Sequence, residues 1–518
     1  MEEEVKVCKG FQEAGLRRSE LDAGSIESLT KQVAKGGGIA FAGSIIQKIA
    51  TFGLHILLAR VLGSASYGLY ALGFSVTSIA QTVASLGLNQ GIVRFCAMYR
   101  GKWDNPRIKG TFLPAIAISS LSSVLVATGL FAFSSLIAQR FFNKPELTGV
   151  LRIFALAIPF YTLTGIATSL TQSFKRIEYQ TGVHQVFRPL VNIVLVVLAF
   201  LLGFRLAGAV YGFLACGALS LVLALYFACK VFPDIVSPLR PVFETKRLIR
   251  FSVPMFLAGF CYLTLIQTDR IMLGFFKESS EVGVYNAASI ISRQLLLFFY
   301  PLVAIFLPMI SDLYNKQQLQ ELERLLKTVS RWMLATSLPF GLIICIFSPL
   351  IMNLFGTEFG AGWPVLLVLT FSQILFLSVG PEGEVLQMSG KQDLVLINTL
   401  VMVFVNIGLN IWLIPIWGKL GAAIATALSL SGIAIVQLIQ VVRILNIHPL
   451  SIHYIKPLSS AVAAAVFGLG IRSFVGVSAI SLIMATIAIF VVYALGVLIL
   501  GLNRDDKLIL RAVMKKLG

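Results

Sequence analysis

Two basic residues lie where a bilayer would leave them no water. Lys48 is about 11 residues into the apolar run 37–59, and Arg293 about 10 residues into the run 283–310. At about 1.5 Å per residue each is about 15 Å deep, the midplane of a hydrocarbon core about 30 Å thick. A central cation costs at least about 2.5–3.5 kcal/mol on insertion scales, so it must face water, a partner or a substrate. No carboxylate stands at that depth. The nearest are Asp269, at the end of one apolar run, and Glu382 and Glu384, near the end of another. Two unpaired midplane cations suit an anion such as phosphate or pyrophosphate.

The neighbours of these cations are polar at helical spacing. Ser44, Lys48, Thr51 and His55 share one face of the first run, and Asn286, Ser289, Arg293 and Tyr300 one face of the eighth. The second run has Ser78, Gln81, Ser85 and Asn89, and the seventh Cys261, Thr264 and Thr268, ending on Asp269-Arg270. Such stripes describe a hydrated cavity between lobes. Small polar residues also pack membrane helices together, but packing needs no midplane cation. Arg188, followed by Pro189, either snorkels or faces the cavity, and Arg152 snorkels. Asp269 pairs locally or with a cation of an outer loop. Glu382 and Glu384, in Pro381-Glu382-Gly383-Glu384, cap a broken helix or carry a coupling proton. Those two and Asp269 are the candidates for coupling. His55 is expected to hydrogen-bond in the cavity rather than switch protons.

The elements that must hold these residues are membrane helices. The 518 residues are 57% hydrophobic and 13% charged, against about 25% charged in soluble domains. Fourteen apolar runs are long enough to cross: 37–59, 67–93, 110–138, 148–171, 179–203, 206–229, 247–273, 283–310, 328–352, 362–387, 392–415, 418–442, 455–473 and 478–501. With the N-terminus inside, 30 of the 42 Lys and Arg residues fall in inner segments and 8 in outer loops. That bias predicts a multi-pass protein of the cytoplasmic membrane with both termini in the cytosol. It also accounts for the net charge of +18 without nucleic acid.

The chain repeats itself. Arg60-Val61-Leu62-Gly63 and Tyr67-Gly68-Leu69-Tyr70 return as Arg270-Ile271-Met272-Leu273-Gly274 and Val282-Gly283-Val284-Tyr285. Asn192 with Leu206-Ala207-Gly208-Ala209-Val210 returns as Asn406 with Leu420-Gly421-Ala422-Ala423-Ile424. Six spans separate the copies, an even number, which predicts a parallel repeat. The expected all-α organisation is a cytosolic tail (1–36), an N-lobe of spans 1–6 (37–229), an inter-lobe linker (230–246), a C-lobe of spans 7–12 (247–442), spans 13–14 (455–501) and a basic cytosolic tail (502–518). The first 36 residues lack the apolar core of a cleaved secretory signal.

Several chemistries are excluded. The six cysteines and four histidines have no metal-site spacing, and no metal or cofactor is expected. There is no Walker A motif, Gly-x-Ser-x-Gly or His-Glu-x-x-His, so no enzymatic activity is expected. A polytopic glycosyltransferase would need a catalytic acid in a sizeable outer loop, and the outer loops are short.

Residues 39–101, with Leu58-Ala59-Arg60-Val61-Leu62-Gly63 and Leu86-Gly87-Leu88-Asn89-Gln90-Gly91-Ile92-Val93-Arg94-Phe95, resemble the polysaccharide-exporter branch of the multidrug/oligosaccharidyl-lipid/polysaccharide superfamily. Asn406-Ile407-Gly408-Leu409-Asn410-Ile411-Trp412-Leu413-Ile414-Pro415, then Gly418-Lys419-Leu420-Gly421-Ala422-Ala423-Ile424-Ala425-Thr426, is similar to that superfamily's signature in spans 11–12. The resemblance implies a flippase of polyprenyl-pyrophosphate-linked oligosaccharides, O-antigen-like repeat units, working by alternating access. Its partners would be the anionic lipid-linked substrate, membrane lipids and polysaccharide polymerase or ligase machinery. Related lipid II flippases place basic residues on spans 1, 2 and 8. Lys48 and Arg293 match two of these in kind, while span 2 has no basic residue in its interior here. Multidrug exporters of the superfamily, the alternative, rely on acidic residues within the lobes, and spans 1 and 2 hold none.

Overall fold

The computed structural model describes residues 2–297, 299–449, 451–476 and 478–501, and no side chain before residue 38. The basic tail expected over 502–518 lies outside them. The described residues contain no strand. Eighteen α-helices follow in order: α1 (Glu2–Ser85), α2 (Leu88–Arg100), α3 (Asn105–Leu136), α4 (Leu147–Ser173), α5 (Ile177–Thr181), α6 (Arg188–Leu201), α7 (Leu206–Val231), α8 (Thr245–Phe276), α9 (Ser279–Ser292), α10 (Phe299–Asn315), α11 (Leu319–Ile346), α12 (Ser348–Asn353), α13 (Trp363–Val379), α14 (Glu382–Met388), α15 (Gln392–Trp417), α16 (Lys419–Leu445), α17 (Ile455–Val475) and α18 (Ala479–Ile499). A π-helical turn, Gly182–Phe187, joins α5 to α6.

Among the described residues, twelve helices are long and apolar enough to cross a membrane. The first of these, Phe41–Ser85, has 45 residues, about 68 Å if straight, twice a bilayer core. It is not straight. Gly63 has φ 73°, and the His55 Nδ1 and Tyr67 hydroxyl share a hydrogen bond at 3.0 Å, where a continuous helix would separate them by about 18 Å. The chain therefore doubles back at Gly63, as only a residue without Cβ does cheaply. The end of the molecule at Gly63 is the hairpin end, and the opposite end, which carries residues 232–244, is the linker end.

Three expected spans are interrupted. The run 67–93 stops at Ser85, where Leu86 (φ 48°) and Gly87 (φ 70°) turn the chain. The separate α2 then buries Leu88, Ile92, Phe95 and Tyr99 along one face. The run 283–310 is broken by a 3₁₀ turn, Arg293–Leu297. Pro301 cannot donate to the Leu297 carbonyl, which removes the bond that would carry a helix through. The run 362–387 breaks at Gly380 (φ 110°), because Pro381 disfavours a helical residue before it.

The halves α1–α7 and α8–α16 meet closely at the hairpin end. A Cβ on Gly68 would lie 1.7 Å from the Ser279 carbonyl oxygen, and one on Gly283 would lie 2.2 Å from that of Ser64. The repeated glycines thus let two backbones touch. At the linker end Gly87 of the first half abuts the backbone of Ser252 and Phe256 in α8, and the Arg94 guanidinium lies 4.4 Å from the Phe251 ring centre.

Candidate substrate cavity

The second half encloses a cavity of about 340 Å³ between α8, α10, α13, α14, α15 and α16. Arg293, at the broken turn after α9, faces it with Asp269, Glu384, Gln373 and Gln437. The Arg293 guanidinium donates to the Ile266 carbonyl at 3.4 Å. The half-buried Lys48 ammonium, from the other half, is near enough for the two charges to repel. Neither cation has a carboxylate within ion-pair distance among the described residues. The two cations, one from each half, thus feel one another's charge, and neither is in an ion pair.

Asp269 is not where a count along the chain puts it. Helix α8 runs to Phe276, seven residues further, so Asp269 lies about 10 Å inside. It is buried, and it pairs with no outer cation among the described residues. Instead Oδ1 accepts from Asn406 Nδ2 (3.2 Å) and Asn410 Nδ2 (2.9 Å), and Oδ2 accepts from the Tyr285 hydroxyl (2.9 Å) and Thr426 Oγ1 (2.5 Å). Four donors replace the water a carboxylate loses on burial. Next to it, buried Arg270 donates to Gln267 Oε1 at 2.6 Å, which also accepts from Ser75 of the first half at 3.1 Å.

The hairpin end is sealed by hydrogen bonds between halves. Asn286 Nδ2 donates to the Tyr67 hydroxyl at 2.8 Å. Ser64 N–H and Oγ both donate to Glu358 Oε2, at 2.9 and 2.6 Å, and Arg60 Nε donates to the Leu354 carbonyl at 2.8 Å. At the linker end the Tyr99 hydroxyl donates to Glu244. That bond, with Arg247 and Arg107 alongside, holds the Glu244 carboxyl below the usual carboxylate range.

A second cavity, about 440 Å³, lies in the first half between α2, α4 and the turn into α6. Arg188 faces it, its guanidinium 3.9 Å from the Tyr161 ring centre. His184 shares a 2.9 Å hydrogen bond with Thr168 Oγ1.

The expected site residues thus separate into groups. Lys48 and Arg293 lie within electrostatic range of one another, and Thr51 is half-buried on the Lys48 face. His55, Asn286 and Ser289 belong to the hairpin-end seal, Ser289 lying 3.5 Å from Arg270 Nη2. Arg188 and Gln81 line the first-half cavity. Ser44, Ser78 and Ser85 donate to carbonyls of their own helix. Glu382 and Glu384 start α14 without capping it. Glu384 faces the second-half cavity, while Glu382 is buried with neither oxygen hydrogen-bonded. Arg152 is exposed and donates to Ser134. The sequence reading missed the amides around Asp269 and the His184 wall. The series Gln180, His184, Arg188, at i, i+4 and i+8, carried the signal for the latter.

Residues 33–314 match the family described as "Polysaccharide biosynthesis protein". The chain is 25% identical over 338 residues to the succinoglycan biosynthesis transport protein ExoT of Rhizobium meliloti, covering 64% of this chain and 65% of that one. It is 29% identical over 195 residues to the probable low-salt glycan biosynthesis flippase Agl15 of Haloferax volcanii, covering 37% and 41%. The matched parts therefore span less than two thirds of either relative. Stage V sporulation protein B of Bacillus subtilis is 21% identical over 81% of this chain and 84% of that one. Among solved structures, the lipid II flippase MurJ in an inward closed conformation superposes with TM-score 0.69 at 14% identity, over 88% of this chain and 97% of that one. An inward-facing multidrug resistance MATE family transporter of the MOP superfamily superposes with TM-score 0.65 at 16% identity, over 79% and 98%. These likenesses show a shared fold.

Proposed function

The chain belongs to the polysaccharide biosynthesis protein family, membrane transporters and flippases of the MOP superfamily, and on that premise we propose that it moves polyprenyl-pyrophosphate-linked oligosaccharide across the cytoplasmic membrane by alternating access. The observation that carries this reading is the pair of cations Lys48 and Arg293, one from each half, within electrostatic range of one another and neither in an ion pair, although Asp269 and Glu384 line the Arg293 cavity. A pyrophosphate would bind both and so bridge the halves, while the lipid tail stays in the bilayer. Arginine suits it as a bidentate fork and lysine as a point charge.

The proposed topology has fourteen crossings. The hairpin at Gly63 supplies two from one helix, and the broken α9–α10 supplies one more than composition alone counts. The linker end is cytosolic, because the basic segments lie there. A parallel two-fold repeat is supported by Gly68 and Gly283, equivalent in sequence, each pressing on the other's helix. Asp269, fixed to both α15 and α16, is the carboxylate best placed to carry coupling within the second half.

The test is made in cells that depend on this chain for surface polysaccharide. Lys48→Ala and Arg293→Ala should each leave lipid-linked oligosaccharide on the cytosolic leaflet while the protein accumulates normally in the membrane. Normal surface polysaccharide with both substitutions present would overturn the proposal.

A further inference from the structure

The first-half cavity has a composition unlike that of an anion site alone. Four glutamines and an asparagine face it: Gln81, Asn89, Gln90, Gln172 and Gln180. None of their side-chain amides hydrogen-bonds to protein among the described residues, and the Asn89 Oδ1 is buried without a partner. Unpaired amides at a cavity wall both donate and accept, which is what sugar hydroxyls require. No carboxylate lines the cavity, and Arg94 and Arg188 add positive charge at either end. Both guanidiniums lie against aromatic rings, Arg94 on Phe251 and Arg188 on Tyr161.

The cavity also has the right position and length. From Tyr161 to Gln172 it follows α4 for eleven residues, about 16 Å, an oligosaccharide's length rather than an ion's. Its Arg188 end lies near the level of Lys48. A Cβ on Gly43 would sit 2.4 Å from Thr181 and 2.6 Å from Gln185, so α1 runs beside α5 and its continuation, and in the proposed topology both rise from the linker end. Lys48, five residues past Gly43, is then within about 5 Å of the depth of Arg188, three past Gln185. The π turn that precedes Arg188 is a local widening of the kind found at functional sites.

We infer that this cavity is the glycan subsite: it holds the sugars of the lipid-linked substrate, preferably acidic ones, while Lys48 and Arg293 hold the pyrophosphate. The inference rests on the flippase reading and divides its substrate between two halves of the protein. The wall groups exchange water for sugar hydroxyls, and the free amides select substrates by glycan as well as by charge. A transporter of sugarless lipids would have no use for them.

The experiment measures binding of two probes to the purified full-length protein in nanodiscs. One probe is a short-chain polyprenyl pyrophosphate, and the other is the same lipid carrying a disaccharide that contains a uronic acid. Wild type should bind the glycosylated probe about tenfold tighter, the sum of two or so net hydrogen bonds. Gln172→Ala with Gln180→Ala should erase that increment and leave the sugarless probe unchanged. Lys48→Ala with Arg293→Ala should weaken both probes alike. The glycan inference fails if the glutamine variant weakens both probes equally, or neither, or if wild type does not distinguish the probes. The flippase reading fails separately, if the cation variant binds both probes like wild type. Circular dichroism and size-exclusion profiles matching wild type establish that the variants are folded.

Discussion

Gly68→Ala should open the hairpin end. The new Cβ would lie 1.7 Å from the Ser279 carbonyl oxygen and 2.6 Å from its carbon. Both obstacles are backbone, so the helices must separate by about 1.5 Å or more to restore ordinary contact. Hydrogen bonds of 2.6–2.9 Å between the halves, from Asn286 to Tyr67, Ser64 to Glu358 and Arg60 to Leu354, do not survive such a stretch. At about 1 kcal/mol net for each of four bonds the seal loses about 4 kcal/mol, enough to shift a two-state equilibrium by two to three orders of magnitude. The assay is labelling of a Ser289→Cys reporter, a position 3% exposed within the seal, by a membrane-impermeant maleimide, with the native cysteines replaced. Labelling should be at least about tenfold faster in Gly68→Ala than in the parent. Gly129→Ala, whose Cβ would meet nothing within 4 Å, should label like the parent. Equal rates in folded Gly68→Ala protein would refute the seal as drawn.

Other outcomes follow from the same geometry. A reporter fused after Arg247 should read cytosolic and one at Gly360 external; both on one side would refute the proposed topology. The depressed Glu244 carboxyl contributes stability at neutral pH that is lost only as pH falls through its lowered folded-state value. Limited proteolysis within 232–244 should therefore accelerate on acidification below the usual carboxylate range, and Glu244→Gln should be fast at every pH. A substrate of net negative charge gains about 2.3 kcal/mol per charge per 100 mV on moving outward down an inside-negative potential. Flipping in proteoliposomes should therefore respond to potential more than to any cation gradient. Strict sodium dependence that Asp269→Asn abolishes would refute that and make Asp269 the coupling group.

How much of this was legible beforehand depended on whether a signal was local. A lysine or arginine in the middle of an apolar run announces itself, and Lys48 and Arg293 were found that way. The glycines of the repeat were visible too, but not that Gly68 and Gly283 press on each other's helices, because sequence spacing carries no information about close approach between halves. Asp269 read as lying near the end of the run 247–273, whereas α8 continues to Phe276 on buried Arg270, Leu273 and Gly274. The amides that solvate it, Asn406, Asn410 and the Thr426 hydroxyl, come from two later helices. The breaks at Arg293 and Gly380 were foreshadowed by Pro301 and Pro381, although hydropathy runs straight through both. Stripes of serine proved ambiguous. Ser44, Ser78 and Ser85 satisfy themselves on their own helices, and only the longer amides of the same faces reach a cavity.

The central claim is that two cations from opposite halves carry the pyrophosphate of the substrate across. Its most direct test is flipping of a fluorescent polyprenyl-pyrophosphate oligosaccharide in proteoliposomes containing wild type, Lys48→Ala with Arg293→Ala, or Arg152→Ala, each reconstituted to the same density. The double variant should fall to the protein-free rate, Arg152→Ala should match wild type, and Arg293→Lys should retain part of the activity because a point charge still attracts phosphate. Wild-type flipping by the double variant would contradict the claim.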